Sequence, residues 1–144
     1  MDWDVNFAIQ SLRSAAAGRK SSGDCARFTR EAIEAGFVNQ CVAFPRPHPV
    51  AGRRRAMDYG PSLQAVGFIL LAGMCGGFQA GDVAIVDGFG NGKHEPGHMA
   101  MFDGKRWISD FEQNNYVGRE GGVYPGSAYQ LGKPGYRFYR YRGL

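Results

Sequence analysis

Apolar residues recur at Val5, Ile9, Leu12 and Ala16, a helical spacing that follows the capping residue Asp4 and stops before Gly18. The pattern predicts an amphipathic helix over 5–17 with one buried face. Ser21, Ser22, Gly23 and Asp24 then supply capping chemistry, so a second helix opens on Cys25, runs to Ala35 and stops at Gly36. Pro45, Pro47, Pro49 and Gly52 break any period between 38 and 60, which predicts a long loop carrying Arg53-Arg54-Arg55. Pro61 suits the first turn of a short helix over 61–66, ended by Gly67. Beyond it the pattern changes to short apolar runs between glycines, and 68–71, 83–86, 98–102, 107–111 and 136–141 read as strands. Helices come first and strands second. The expectation is therefore one α+β domain over 1–144, with its N-terminal helices packed on an antiparallel sheet.

Composition narrows the class. At 144 residues, 44% apolar and 21% charged, the chain is long enough for a core of its own and unlike a disordered segment. The nearest approach to a membrane span, Val66 to Met74, is short and interrupted by two glycines, so no span is expected. Met1-Asp2-Trp3-Asp4 is acidic where a secretory signal would be basic, which predicts synthesis in the cytoplasm without a signal peptide. The net charge of +4 favours acidic partners such as a cell-wall polymer. Arg53-Arg54-Arg55 and the Tyr136 to Arg142 tail resemble a nucleic-acid surface, but a solvated loop and an arginine-fringed last strand account for them, and no nucleic acid is expected.

Cys25, Cys41 and Cys75 form no CxxC, and His48, His94 and His98 complete no zinc spacing with them, so neither metal nor cofactor is expected. A Cys41–Cys75 bridge requires an oxidising compartment and leaves Cys25 over. At a helix N-terminus the unsatisfied N–H groups and the dipole favour a thiolate, and the same N–H groups can receive an oxyanion. That is the chemistry of a nucleophile in acyl transfer. His98 follows Pro96-Gly97 at the start of a strand, where its ring can project toward a helix end as the base. Asp103-Gly104 marks the turn to the next strand. A three-residue loop places Asp110 opposite His98, where it can orient the imidazole, whereas a two-residue turn would place Ser109 there. Glu112 and Gln113 follow as the next candidates in the same segment.

Asp24-Cys25-Ala26-Arg27-Phe28 opening a helix, Ala80-Gly81-Asp82-Val83-Ala84-Ile85 as a strand and Gly97-His98-Met99-Ala100-Met101-Phe102 as the next resemble, in order and spacing, the landmarks of NlpC-type and CHAP cysteine peptidases and amidases. The resemblance runs from about Ser22 to Phe111. It implies a papain-like fold and hydrolysis of amide bonds in bacterial peptidoglycan, with Cys25 as nucleophile, His98 as base and Asp110 as the third residue, where relatives often carry His, Asn or Glu. Tyr59 resembles a loop tyrosine that contacts substrate beside the cysteine, and Asp24 is a second candidate substrate contact. His94 either lines the cleft or is an exposed loop histidine. Trp107-Ile108-Ser109-Asp110-Phe111 further resembles compact amidases delivered by type VI secretion or carried by phage. That likeness implies a monomer with no cofactor, exported by a dedicated machine to act in a target cell's periplasm and blocked by an immunity protein. Two other readings compete: a non-catalytic papain-like module that binds wall fragments or a protein partner, and a cysteine protease or deamidase acting on a protein substrate.

Overall fold

The computed structural model of the chain describes residues 2–72, 77–90, 92–113 and 123–144. Helix α1, Val5–Ala16, starts where the Asp4 carboxylate accepts from the Phe7 N–H, and it buries Ala8, Ile9, Leu12 and Ala16. Helix α2, Cys25–Gly36, buries Cys25, Phe28, Thr29, Ala32 and Ile33 along one face. The long connection after it holds a tight turn at Val50–Arg53 and a single 3-10 turn, Ala56–Asp58. Helix α3, Gly60–Ala65, and strand β1, Phe68–Leu70, follow.

Strands β2 (Val83–Val86), β3 (His98–Phe102), β4 (Trp107–Ile108) and β5 (Tyr136–Tyr141) join β1 in one antiparallel sheet of order β1-β5-β2-β3-β4. The architecture is α+β, with the leading helices against the sheet. Both faces of the sheet are covered. Val83, Ile85, Met99, Met101 and Ile108 pack with α1, α2 and α3, while Ala84, Val86, Ala100, Trp107 and Phe138 pack under Val123, Tyr124 and Tyr129. This explains why 83–86 is apolar at every position instead of alternating: a strand covered on both sides has no wet face.

Helix α1 ends a residue before the expected 17, α2 runs one past Ala35, α3 starts and ends one residue early, and the second half of the chain differs further. Strand β1 ends a residue early, and the strand expected over 107–111 ends at Ile108. Its register pairs Met101 with Ile108 and Phe102 with Trp107, one residue away from the pairing that would set His98 opposite Asp110. The connection closes instead through Asp103 N–H to the Arg106 carbonyl at 3.0 Å, with the Asp103 carboxylate accepting from the Lys105 and Arg106 amides. After Ile108 the chain doubles back: Ser109 N–H bonds the Phe111 carbonyl, and Gln113 N–H returns to the Trp107 carbonyl. A further helix, α4, spans Ser127–Gly132. It is too short to show a period, and Lys133 at φ 45° closes it in the left-handed region. Cys75, and with it the suggested pairing to Cys41, lies outside the described residues; Cys41 is a free, exposed thiol.

Candidate active site

Cys25 is the first residue of α2. The expected cap does not form: the Asp24 carboxylate makes no cap bond and instead accepts from the Ser22 hydroxyl at 3.0 Å, with Arg27 at 3.6 Å. The first-turn amides are thereby left uncapped by it. The amides of Cys25 and Ala26 face the sulfur, joined by that of Met99 from β3. They favour the thiolate. Burial outweighs them and pushes the thiol up to about 12, with the nearby Asp110 carboxylate adding to the rise. Burial thus opposes the thiolate that the helix-opening position favours.

His98 opens β3 directly after Gly97 at φ +81°, where a side chain would run into the Val86 carbonyl and the Met57 Cβ. Only glycine fits there, and this fixes where the strand and its histidine begin. The ring is buried, and its Nε2 lies 2.8 Å from Gln113 Oε1. The Gln113 amide nitrogen donates to the Val123 carbonyl at 3.1 Å, so its oxygen must face the histidine. An acceptor at Nε2 requires the proton there and leaves Nδ1 as the free base. Burial holds His98 below its ordinary value, opposed by the Gln113 acceptor and by the charge of Asp110. Among the described residues no hydrogen bond joins the Cys25 sulfur to the imidazole in this state.

Asp110 sits at the tip of the turn that follows β4. Its Oδ2 accepts from the Ser22 N–H at 2.7 Å and the Asp24 N–H at 3.3 Å and lies 3.0 Å from the Ser22 hydroxyl, whose one proton it shares with the Asp24 carboxylate, while Oδ1 is buried without a hydrogen-bond partner among the described residues. Although burial raises it, these donors prevail and hold the carboxyl below its ordinary range. Asp110 thus clasps the segment that leads into Cys25 and acts on His98 through its charge, while the hydrogen bond to the ring comes from Gln113.

Cys25, His98, Asp110, Tyr59 and Asp24 all line one cleft of about 850 Å³. His94 lines it too, stacked on Phe89 with ring centroids 5.1 Å apart. Tyr129 from α4 closes the group: its ring lies 6.0 Å from that of His98 and 5.0 Å from those of Phe89 and His94. Burial, with Cys25 as a second cause, lifts its phenol well above the usual range. The sequence pattern does not single out Tyr129, and it offers Gln113 only after Asp110. The signal for Gln113 was Ser109-Asp110, a pair of turn-forming residues inside the segment read as strand. Among the described residues no group of three His, Cys, Asp or Glu side chains is placed to hold a metal ion, and no helix is long and apolar enough to cross a membrane.

No protein-family model matches the chain, and no curated protein does. Solved structures do. The chain is similar to a chain of the native type VI effector–immunity complex Tae3–Tai3 from Ralstonia pickettii, at 35% identity over 97% of this chain and 100% of that one, with a TM-score of 0.73. In the selenomethionine form of the same complex the identity is 37%, over 92% of this chain and 98% of that one, with a TM-score of 0.70.

Proposed function

The chain belongs to the Tae3 family of type VI secretion effectors, and from that premise we propose that it is an antibacterial amidase of the NlpC/CHAP papain-like kind that cuts an amide bond in the peptides of bacterial peptidoglycan. The observation that carries the reading is the convergence of Cys25 and a tautomerically fixed His98 on one cleft. Substrate binding brings sulfur and base together, since catalytic contacts are often loose in the free state. Nδ1 of His98 takes the Cys25 proton as the sulfur attacks the scissile carbonyl. The oxyanion is met by the uncapped amides at the start of α2. Collapse breaks the C–N bond, the imidazolium returns its proton to the leaving amine, and a thioacyl enzyme remains. Water, deprotonated by the same histidine, then releases the acid and the free thiol. Gln113 holds the ring and its tautomer, and Asp110 supplies the negative charge that favours the imidazolium.

The relatives were solved as effector–immunity complexes, which supports an immunity protein as partner here and action in the periplasm of a target cell. The burial of Cys25, without a hydrogen bond to the imidazole, is the one observation that favours a non-catalytic binding module instead. Digestion of purified peptidoglycan followed by mass spectrometry decides between them. New amine and carboxyl ends are expected from the wild type and none from Cys25→Ala or His98→Ala; an undigested wall would sink the enzymatic reading.

A further inference from the structure

The cleft that holds Cys25 and His98 is also lined by Arg27, Arg30, Arg46, Arg53, Arg54 and Lys93. Two of these are engaged: Arg30 pairs with Glu34 at 2.8 Å, and Arg27 lies 3.4 Å from Glu31 and 3.6 Å from Asp24. Among the described residues Arg46, Arg53, Arg54 and Lys93 have no ion-pair partner, and of the other such cations, Arg19, Lys20, Lys105, Lys133 and Arg142, none lines the cleft. Of the two acids on the lining, Asp24 faces Arg27 and Asp110 is turned toward Ser22 and the Asp24 amide, so two carboxylates stand against four cations without an ion pair. The rim therefore presents uncompensated positive charge.

That charge is held in place. Val50 and Arg53 exchange backbone hydrogen bonds of 2.7 and 3.0 Å around Ala51 at φ 51° and Gly52 at φ 78°, a turn with both central residues in the left-handed region. Alanine is rarely found at such an angle. The turn hands directly to Arg53 and Arg54. Arg55, next in line, bonds Asp58 at 2.8 Å and Glu95 at 3.3 Å, and Met57 N–H bonds the Pro96 carbonyl. These contacts tie the arginine turn to the glycine-rich loop that carries Lys93 and leads into His98.

Resting on the amidase reading of the cleft, we propose that Arg53 and Arg54, with Arg46 and Lys93, form a carboxylate subsite that selects peptides bearing free carboxyl groups beside the scissile amide. A guanidinium fork recognises a carboxylate by two parallel hydrogen bonds, and unpaired cations around a concave site attract anions before contact. Peptides whose carboxyls are capped as amides offer neither feature, so they bind poorly although the scissile bond is unchanged.

The test is calorimetric binding to the full chain carrying Cys25→Ala, using one stem peptide with its carboxyls free and the same peptide with them amidated. The expected result is a preference of about tenfold for the free acid that weakens with added salt. It should vanish when Arg53→Gln and Arg54→Gln are added; both positions are exposed, and unchanged melting verifies the fold. The pair Arg46→Gln with Lys93→Gln gives an independent reduction. Equal affinity for the two peptides, or a preference that survives all four substitutions, overturns the proposal. So does a rim whose loss weakens only an acidic inhibitor protein. A wild type that shows the preference yet releases no product would fault the hydrolytic reading alone and support the subsite.

Discussion

His98 Nε2 and Gln113 Oε1 are 2.8 Å apart, and the Gln113 amide nitrogen is spent on the Val123 carbonyl. A neutral amide thus holds the imidazole, and the Asp110 carboxylate acts on it through its charge, without a hydrogen bond. Gln113→Ala strands a buried ring N–H and a carbonyl, so it should cost about 1–3 kcal/mol of stability. It should also lower turnover about 10²-fold through lost orientation. Thermal melting and kcat measure the two effects separately. Turnover within twofold of wild type would remove Gln113 from the mechanism.

The acid limb of activity should lie below the ordinary histidine value of about 6.5, because burial lowers the His98 pKa and only the neutral ring can accept the thiol proton. Activity is retained as pH falls through that value and lost at the lowered one. Gln113→Glu places a second negative charge at the ring and should move the limb upward, whereas Asp110→Asn removes one and should move it downward. Profiles of kcat/KM against pH read all three.

Asp110→Ala should lower both stability and turnover, since it frees the Ser22 and Asp24 amides that the carboxylate now holds. The folded-state pKa of Asp110 lies below its unfolded value, so its contribution is complete above the usual carboxylate range and is lost as pH falls through the lowered value. The gap in melting temperature between wild type and Asp110→Ala should therefore narrow in acid. A constant gap would mean that Asp110 acts only through packing.

Cys41 should be alkylated by iodoacetamide ahead of Cys25 at neutral pH. Cys41 is exposed, while Cys25 is buried and burial pushes its thiol up. The rate at Cys25 should go on rising with pH where an ordinary thiol, at about 8.5, has levelled off. Peptide mapping by mass spectrometry follows each site. Fastest labelling at Cys25 near neutrality would reveal a thiolate–imidazolium pair in the free protein.

Much of this arrangement was legible in the chain. The spacing of Val5, Ile9, Leu12 and Ala16 marked α1, and the break at Gly23-Asp24 placed Cys25 at the head of α2 because helix starts are written in local chemistry. His98 was legible because Pro96-Gly97 can only punctuate. The site failed where it depended on a tertiary return. Trp107 to Phe111 has the composition of a strand, yet β4 stops at Ile108 and the chain folds back on itself, and that fold brings Gln113 to the histidine. Register is set by loop length, and one residue more between Phe102 and Trp107 was enough to shift it. Tyr129 escaped because six residues of helix carry no readable period.

Met99 meets two successive turns of α2: its amide faces the Cys25 sulfur, and its carbonyl accepts from the hydroxyl of Thr29, fully buried one turn on, at 3.3 Å. His98 is its neighbour on the strand. The reach from nucleophile to base is thus in part a dimension of the interior, set by how the helix seats on the strand. A methyl group gained or lost beneath α2 would register as a change in rate before it registered as a change in fold.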